Sequence, residues 1–376
     1  MKKKLLILAL LAAFAASLFG CGAGQKELPE PVPQDPVQEE PVPENTPEAP
    51  AHNWTEDYRE VLDDFYEFIF EADSDEEELY GSIGVSEVLH LNERIDTLKR
   101  VGYAFEDLTG DGIPELLIGA IDPDSSERRG SEIYCACSCT DGTPRGLLQG
   151  WARSSYQLMD DGSFFYRGSG GAMYGGFGKF TLNEDASELV CDDFYFFEPD
   201  GETYDGFVFY HNTSGIWDMS VSDVMELDDD AFWALADGME DHVSSVVFTP
   251  FAEYFDEEVR IQPADEVVSG TVPAKTVTLS DAAPQMQLVL FAEDRVTDLR
   301  ILAQNPKELD ANGFPQYTSE LYRQDELTAD DPLAVTLCFI GDIPNYAISY
   351  VDSEGETELF AIAESGMDGL IFLMEL

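Results

Sequence analysis

YAFEDLTGDGIPELLIG, residues 103–119, places two β-prone runs on either side of a polar loop that contains two glycines. The first run covers residues 103–105, and the second begins at residue 116 and continues to 121. Runs of this length, bounded by Gly, Pro and Asp, are typical of strands that end at a turn. The stretch therefore predicts two antiparallel strands joined by a loop, at the point where the chain changes from helical to two-residue periodicity.

Turn signals continue through the next hundred residues. Asp-Gly pairs favour the positive backbone angles of tight hairpin turns, and they separate short β-prone runs. The pairs begin at Asp141, Asp161, Asp200 and Asp205. Residues 195–197 and 207–210 are two of the predicted strands, and residues 228–239 are predicted to form a short helix. This part of the chain is therefore predicted to be an antiparallel β-meander.

Upstream of the meander the apolar residues follow helical spacing. Between residues 53 and 70 they recur at intervals of three and four, which gives one apolar helix face. These residues are Trp54, Tyr58, Val61, Leu62, Phe65, Ile69 and Phe70. Asn53 and Glu56 stand three residues apart, as a capping pair does. A second helical segment is predicted at 85–100, and both segments are expected to pack on the meander.

The last third of the chain has a different pattern. Residues 262–275 are rich in Pro, Gly and small side chains, which predicts a domain boundary. Six strand-like runs follow, at 286–291, 296–302, 333–340, 346–351, 358–362 and 370–376. Strands at this spacing favour a small sandwich. The predicted fold class is α+β: N-terminal helices packed on an antiparallel β-meander at 53–261, followed by a small all-β sandwich-like domain at 262–376.

The first 21 residues have the features of an export signal. Three lysines precede an apolar stretch at residues 5–18, which is shorter than the roughly 20 residues that a bilayer span needs. Leu-Phe-Gly-Cys at 18–21 resembles the bacterial lipobox, whose cysteine receives a diacylglycerol. The resemblance implies a lipoprotein signal peptide at 1–20 and lipidation of Cys21. An ordinary signal peptide that happens to contain a cysteine is the alternative.

Residues 21–52 are predicted to be a tether. Prolines alternate with Glu, Gln and Val there, and this composition favours an extended polyproline conformation. The whole chain carries 76 acidic and 20 basic side chains, a formal charge of −56. Such a surface repels phosphates, so no nucleic-acid partner is expected. The expected location is the extracellular face of the cell membrane, held by the lipid on Cys21.

Two residue patterns that suggest chemistry are better explained by packing. Cys135, Cys137 and Cys139 alternate along a predicted strand, whereas zinc sites need different spacing and further ligands nearby. They are predicted to be core thiols. The glycine-rich stretch from Gly168 to Gly178 matches no nucleotide-binding loop, because Phe180 follows Lys179 where Ser or Thr is required. Close strand packing or a bulge is predicted there.

The loop of the first hairpin has the spacing of a calcium site. Oxygen donors occupy alternate positions of a short loop, as the coordination of calcium by six to eight hard oxygens requires. The predicted ligands are the side chains of Asp107, Thr109, Asp111 and Glu115 and the carbonyl of Ile113. An EF-hand is excluded, since Ile118 stands where that motif needs a bidentate acid. The alternative is a turn whose aspartates bond only their own backbone.

The same loop resembles the Asp-x-Asp-x-Asp-Gly-x-x-Asp calcium loops of integrin-type and VCBS-like repeats. Thr109 and Glu115 depart from that pattern. The wider stretch, together with Gly-Ser-Gly-Gly-Ala at 168–172 and Gly-Asp-Ile-Pro-Asn at 341–345, is similar to the head region of uncharacterised surface lipoproteins of Gram-positive anaerobes. The resemblance implies a location, a fold and a structural calcium ion, and it implies no activity.

A non-catalytic binding role is expected for the exported head. Its partner is predicted to be a cell-wall component, a glycan or a peptide. Tyr166, Tyr174 and Tyr204 could stack on sugars if they are exposed, but buried or edge-strand positions are favoured for them. The alternative is a secreted, glycosidase-like hydrolase that uses paired carboxylates. Abundant acidic residues do not single out such a pair.

Overall fold

Antiparallel β-sheets are the main secondary structure of this protein. The computed structural model describes residues 53–71, 79–139, 142–201, 206–267, 273, 275–311, 313–339, 344–366 and 369–376. The predicted signal peptide, Cys21, the tether and Tyr204 lie outside the described residues. The predicted α+β fold class is confirmed, because N-terminal helices pack on an antiparallel meander and two further sheets follow. No helix within the described ranges is long and apolar enough to cross a membrane.

Helices form where the apolar spacing predicts them. They are α1 (Trp54–Asp57), α2 (Arg59–Glu71), α3 (Ser82–Leu91), α4 (Arg94–Arg100) and α5 (Asp229–Glu240). Leu62, Phe65 and Ile69 lie on the inward face of α2 and are buried. The predicted capping pair is wrong: Asn53 makes no side-chain cap, and the Glu56 carboxylate instead accepts a hydrogen bond from Arg59 Nε at 3.0 Å.

The meander begins directly after α4. Its strands are β1 (Val101–Glu106), β2 (Glu115–Ala120), β3 (Arg129–Gly130), β4 (Glu132–Ser138), β5 (Arg145–Gln149), β6 (Ser154–Leu158), β7 (Phe164–Gly171), β8 (Tyr174–Leu182), β9 (Leu189–Pro199), β10 (Phe207–Asn212), β11 (Asp223–Met225), β12 (Val246–Val247) and β13 (Thr249–Pro250). Eleven of them form one sheet in the order β11-β10-β9-β8-β7-β6-β4-β2-β1-β13, with β5 added beside β4. β3 and β12 pair separately.

Both faces of this sheet are covered near its first hairpin. On one face, Leu116 and Ile118 of β2 pack against α2 and α4 residues such as Leu62 and Leu98. On the other face, Leu117 belongs to a separate buried cluster. A strand covered on both sides carries continuous apolar residues, which accounts for the run Leu116–Leu117–Ile118.

The C-terminal region forms two further sheets that enclose a common core. Its strands are β14 (Val259–Pro263), β15 (Lys275–Thr278), β16 (Gln285–Ala292), β17 (Arg295–Leu309), β18 (Pro315–Thr328), β19 (Leu333–Cys338), β20 (Tyr346–Val351), β21 (Thr357–Glu364) and β22 (Ile371–Glu375). One sheet has the order β14-β16-β19-β15 and the other β18-β17-β20-β21-β22. Leu290 and Val335 of the first face Ile301 and Ile348 of the second in one buried cluster, as in a sandwich.

The N-terminal helices also contact this sandwich. Arg59 lies 3.1 Å from Glu293, and the Phe70 ring packs edge-on against Phe372 with 5.2 Å between centroids. The described residues between 53 and 376 form one compact unit. The predicted boundary begins at Gln262, which lies inside β14, and the division into two domains there stays a prediction.

Candidate functional site

The candidate calcium loop joins β1 to β2 at one end of the large sheet. Glu106 is the last residue of β1, and its cross-strand partner Glu115 is the first residue of β2. The loop is therefore flanked by strands, as predicted, whereas an EF-hand loop is flanked by helices. Gly110 and Gly112 both have positive φ, at 78° and 89°, and they allow the chain to curl between the two strands.

Asp107 organises the curled backbone. Its Oδ1 accepts hydrogen bonds from the backbone N–H groups of Gly110 at 2.7 Å and Asp111 at 3.1 Å, and its Oδ2 accepts one from Gly112 at 3.0 Å. Asp111 Oδ1 in turn accepts from Ile113 N–H at 2.8 Å. These are the turn-forming bonds of the alternative interpretation. They leave further lone pairs on both carboxylates, because an ionised carboxylate has about four acceptor positions.

Two side chains of the loop bury oxygen atoms at a cost in free energy. Thr109 Oγ1 is buried, and no group in the described chain forms a hydrogen bond with it. Glu115 is 1% exposed, and its Oε2 accepts a hydrogen bond from Leu108 N–H at 2.9 Å. Burial, and then the nearby Asp111 and Asp107 carboxylates, raise the pKa of Glu115 to about 7, against the opposing effect of the Leu108 hydrogen bond.

The loop is held to the helices through Tyr58, which links α1 to α2 and is fully buried. Its hydroxyl donates a hydrogen bond to the Pro114 carbonyl oxygen at 2.9 Å. The Cys137 carbonyl oxygen of β4 lies 3.4 Å from the same hydroxyl. A residue 56 positions earlier in the chain thus fixes the backbone immediately before Glu115.

The ligand atoms that the loop offers are of the type that a hard cation prefers. Asp107, Thr109, Asp111 and Glu115 all offer oxygen, the ligand type that calcium prefers, and the buried Thr109 hydroxyl has unused acceptor capacity. No group of three or more His, Cys, Asp or Glu side chains among the described residues is already arranged to hold a metal ion. In the described geometry the carboxylates of Asp107 and Asp111 bond the loop backbone.

The cysteine and glycine patterns have the structural roles that the sequence predicts. Cys135 and Cys137 are buried in the core beneath α2, with their Sγ atoms 3.6 Å apart. The glycine-rich stretch forms the β7–β8 hairpin, which has a register shift between Ser169 and Gly171. A Cβ atom on Gly175 would stand 2.7 Å from the Phe197 ring, so close packing requires glycine there.

A second feature, which the sequence analysis did not identify, is a small pocket under α5. Its volume is about 160 Å³, and it is lined by Ala172, Phe197, Phe207, Phe209, Asp229 and Trp233. Phe197 of β9 lies opposite Phe209 of β10 in the sheet register, and their side chains share one face. The alternation of Phe207 and Phe209 was the only signal in the sequence, because α5 comes from a separate part of the chain.

The tyrosines considered for sugar stacking do not form one surface. Tyr166 is half-buried in an aromatic cluster with Tyr156, at a centroid distance of 5.0 Å, and with Phe180 and Phe194. Tyr174 is 38% exposed at the start of β8. In the described chain Glu115 is the one fully buried carboxylate, and the carboxylates that raise its pKa, those of Asp111 and Asp107, belong to its own loop.

No protein-family model matches this chain, and no curated protein matches it. Its function is therefore inferred from the geometry of the loop and the pocket.

Proposed function

We propose that this protein is a lipid-anchored extracellular binding protein whose head is non-catalytic and carries a structural calcium ion in the loop from Asp107 to Glu115. Cys21 receives the lipid and holds the head at the outer face of the cell membrane. The partner is a cell-wall component, a glycan or a peptide.

The observation that carries the calcium proposal is the combination of a buried hydroxyl and a buried carboxylate in one short loop of oxygen-bearing side chains. Thr109 Oγ1 is buried without a hydrogen-bond partner in the described chain, and Glu115 is buried beside two further carboxylates. A buried oxygen without a partner costs about 1–3 kcal/mol, and a buried carboxylate beside like charges is also unfavourable. A bound dication relieves both costs. Asp107, Thr109, Asp111, the Ile113 carbonyl and Glu115 would hold it, and the ion would cross-link β1 to β2.

Calcium-dependent melting tests this proposal. We expect calcium to raise the melting temperature of the full chain in nonionic detergent, and Asp111→Ala to abolish that response. Asp122→Ala is the matched control, because Asp122 Oδ1 also accepts a backbone N–H two residues on, that of Asp124 at 2.9 Å. The control should lose a similar turn bond and keep the calcium response. Identical melting of the wild type in calcium and in chelator would refute the site.

A binding role is favoured over hydrolysis by the composition of the pocket. A glycosidase needs two carboxyl groups about 5–9.5 Å apart across its substrate. The pocket under α5 is lined by one carboxylate, Asp229, and otherwise by Ala172 and aromatic rings. Aromatic side chains with one polar group are typical of binding sites for small ligands.

Array screening tests the binding role directly. We expect the full chain, displayed in detergent or on nanodiscs, to bind a defined set of glycans or peptides on printed arrays. Hydrolysis of an array glycan that is lost on substitution of two facing carboxylates would support the hydrolase instead. Neither binding nor hydrolysis across both arrays would refute the proposed role.

A further inference from the structure

The pocket under α5 is walled by aromatic rings that meet at steep angles. Phe197 contacts Phe207 with 4.9 Å between centroids and 76° between ring planes, and it contacts Trp233 at 5.7 Å and 70°. Phe209 forms the buried floor and stacks on Phe232 of α5 at 4.3 Å. Phe207 and Trp233 therefore each meet the Phe197 ring edge to face at one side of the pocket.

The lining of the pocket includes one solvent-exposed indole, that of Trp233, and one carboxylate, that of Asp229. Trp233 remains 44% exposed although its neighbour Phe232 is fully buried, so the indole is not part of the packed core. Asp229 lies in the first turn of α5 and lines the pocket. Within the part of the chain that the structure describes, no hydrogen bond or ion pair involves the Asp229 carboxylate. No basic side chain lines the pocket.

We propose that this pocket binds the alkylated ammonium group of a small organic cation, with a quaternary ammonium group as the best fit. The inference rests on the proposed binding role and names the cationic group that the partner would present to this pocket. Ring faces carry negative potential and attract cations that lie over them, most strongly for tryptophan, and cages of several rings bind quaternary ammonium groups. Asp229 supplies the formal negative charge that complements the ligand.

Size and charge both support this class. Pockets for drug-sized ligands have volumes of about 300–1,000 Å³, so a volume of about 160 Å³ suits one compact head group rather than an oligosaccharide. The formal charge of −56 attracts cations and repels anions over the whole surface. Methyl groups spread the charge of a quaternary ammonium ion and weaken its hydration, which lowers the cost of moving it between rings.

Calorimetry with choline and its neutral isostere 3,3-dimethylbutan-1-ol tests the proposal on the full chain in nonionic detergent. The two molecules share a shape and differ in charge, so we expect choline to bind at least tenfold more tightly. Trp233→Ala should abolish binding, Trp233→Phe should retain part of it, and Asp229→Asn should weaken it at least fivefold. Tetramethylammonium should compete with choline.

Two matched controls isolate the pocket. Asp230→Asn removes the same charge from the next residue, which does not line the pocket, and Trp217→Ala removes another exposed indole, which contacts Phe194 and Phe196 instead. Both variants should bind choline within twofold of the wild type. Equal affinity for choline and the neutral isostere, or unchanged binding by Asp229→Asn and Trp233→Ala, would overturn the proposal. If choline does not bind while the arrays find another ligand, this inference falls and the binding role stands.

Discussion

Glu115 of the proposed calcium loop makes the stability of the fold depend on pH. Because the pKa of its carboxyl is raised to about 7 in the folded protein, the folded state binds the proton more tightly than the unfolded chain, whose glutamates titrate near 4.5. In the absence of metal, this residue therefore makes the free energy of unfolding fall as the pH rises from about 4.5 to 7. The shift corresponds to about 3 kcal/mol at most.

Substitution of Glu115 by glutamine removes the buried negative charge and keeps a side-chain oxygen. It therefore separates the destabilisation caused by the charge from the hydrogen bond that the oxygen accepts. Glutamine still offers an oxygen to Leu108 N–H but cannot ionise, so in chelator at pH 8 we expect Glu115→Gln to melt at or above the wild-type temperature. The variant should also lose most of the increase in melting temperature that calcium produces. Thermal melts from pH 5 to 8, with and without calcium, measure both effects.

The control for this experiment is Glu184→Gln, which lies in an exposed turn. It should change neither the pH profile nor the calcium response. A full calcium response in Glu115→Gln would remove this residue from the ligand set, and a wild-type pH profile would show that its pKa is not raised.

Sequence spacing located this loop, because the positions of the oxygen donors depend only on residues 107–115. The burial of Glu115 was not predictable in the same way. It depends on β2 being covered on both faces by elements that come from elsewhere in the chain, including α2 and α4. The pocket was not predicted for a similar reason, since Phe197, Phe209 and Trp233 meet only when α5 packs on β9 and β10.

At the scale of secondary-structure elements, the N-terminal helices hold the first hairpin in place. The Tyr58 hydroxyl donates to the Pro114 carbonyl oxygen, so Tyr58→Phe should lower the free energy of unfolding by about 0.5–1.5 kcal/mol. It should also reduce the calcium response, because the backbone before Glu115 loses its support. Chemical denaturation with and without calcium measures both. Tyr66→Phe on α2 is the control, since no hydrogen bond involves the Tyr66 hydroxyl among the described residues.

In that experiment, equal destabilisation by Tyr58→Phe and Tyr66→Phe would show that the bond to Pro114 contributes nothing specific. An unchanged calcium response in Tyr58→Phe would mean that the loop forms its site without help from the helices.

In the C-terminal region the six runs with a clear apolar pattern were predicted as strands, whereas β14, β15 and the long polar strand β18 were not. β18 spans 14 residues, yet Leu327 is its only buried apolar side chain among those described. It pairs with β17 through backbone hydrogen bonds, with register shifts at three places. Its half-buried positions alternate with exposed ones along much of the strand, but they include Ser319 and Gln324 as well as Tyr317 and Tyr322, so the hydrophobic period is weak. Its charged residues are of the kind that protects a sheet edge from association. No strand was therefore predicted between residues 303 and 332.

At the scale of the whole molecule, a few basic side chains join segments that are distant in the chain. Arg59 pairs with Glu293, Lys99 with Glu266 and Arg128 with Glu253. Each pair is partly buried and links residues more than 100 positions apart. Because the chain has only 20 basic residues against 76 acidic ones, negative charges repel one another over most of this surface. The basic side chains of these pairs offset part of that repulsion, and the proposed calcium ion and organic cation would act in the same direction.

In the lipoprotein proposal, attachment to the membrane depends on one residue, Cys21. Cys21→Ser removes the thiol that receives the lipid, so we expect the protein to move from the membrane fraction to the medium. The calcium-dependent melting of the released protein should match the wild type, because the loop lies more than 80 residues from the anchor.

Cys191→Ser, which changes a half-buried thiol of β9, is the control and should stay in the membrane fraction. Fractionation by immunoblot, with mass spectrometry of the mature N-terminus, measures the outcome. If Cys21→Ser stays membrane-bound, an apolar segment and not an acyl chain holds the protein, and the lipoprotein proposal fails while the proposals for the loop and the pocket stand.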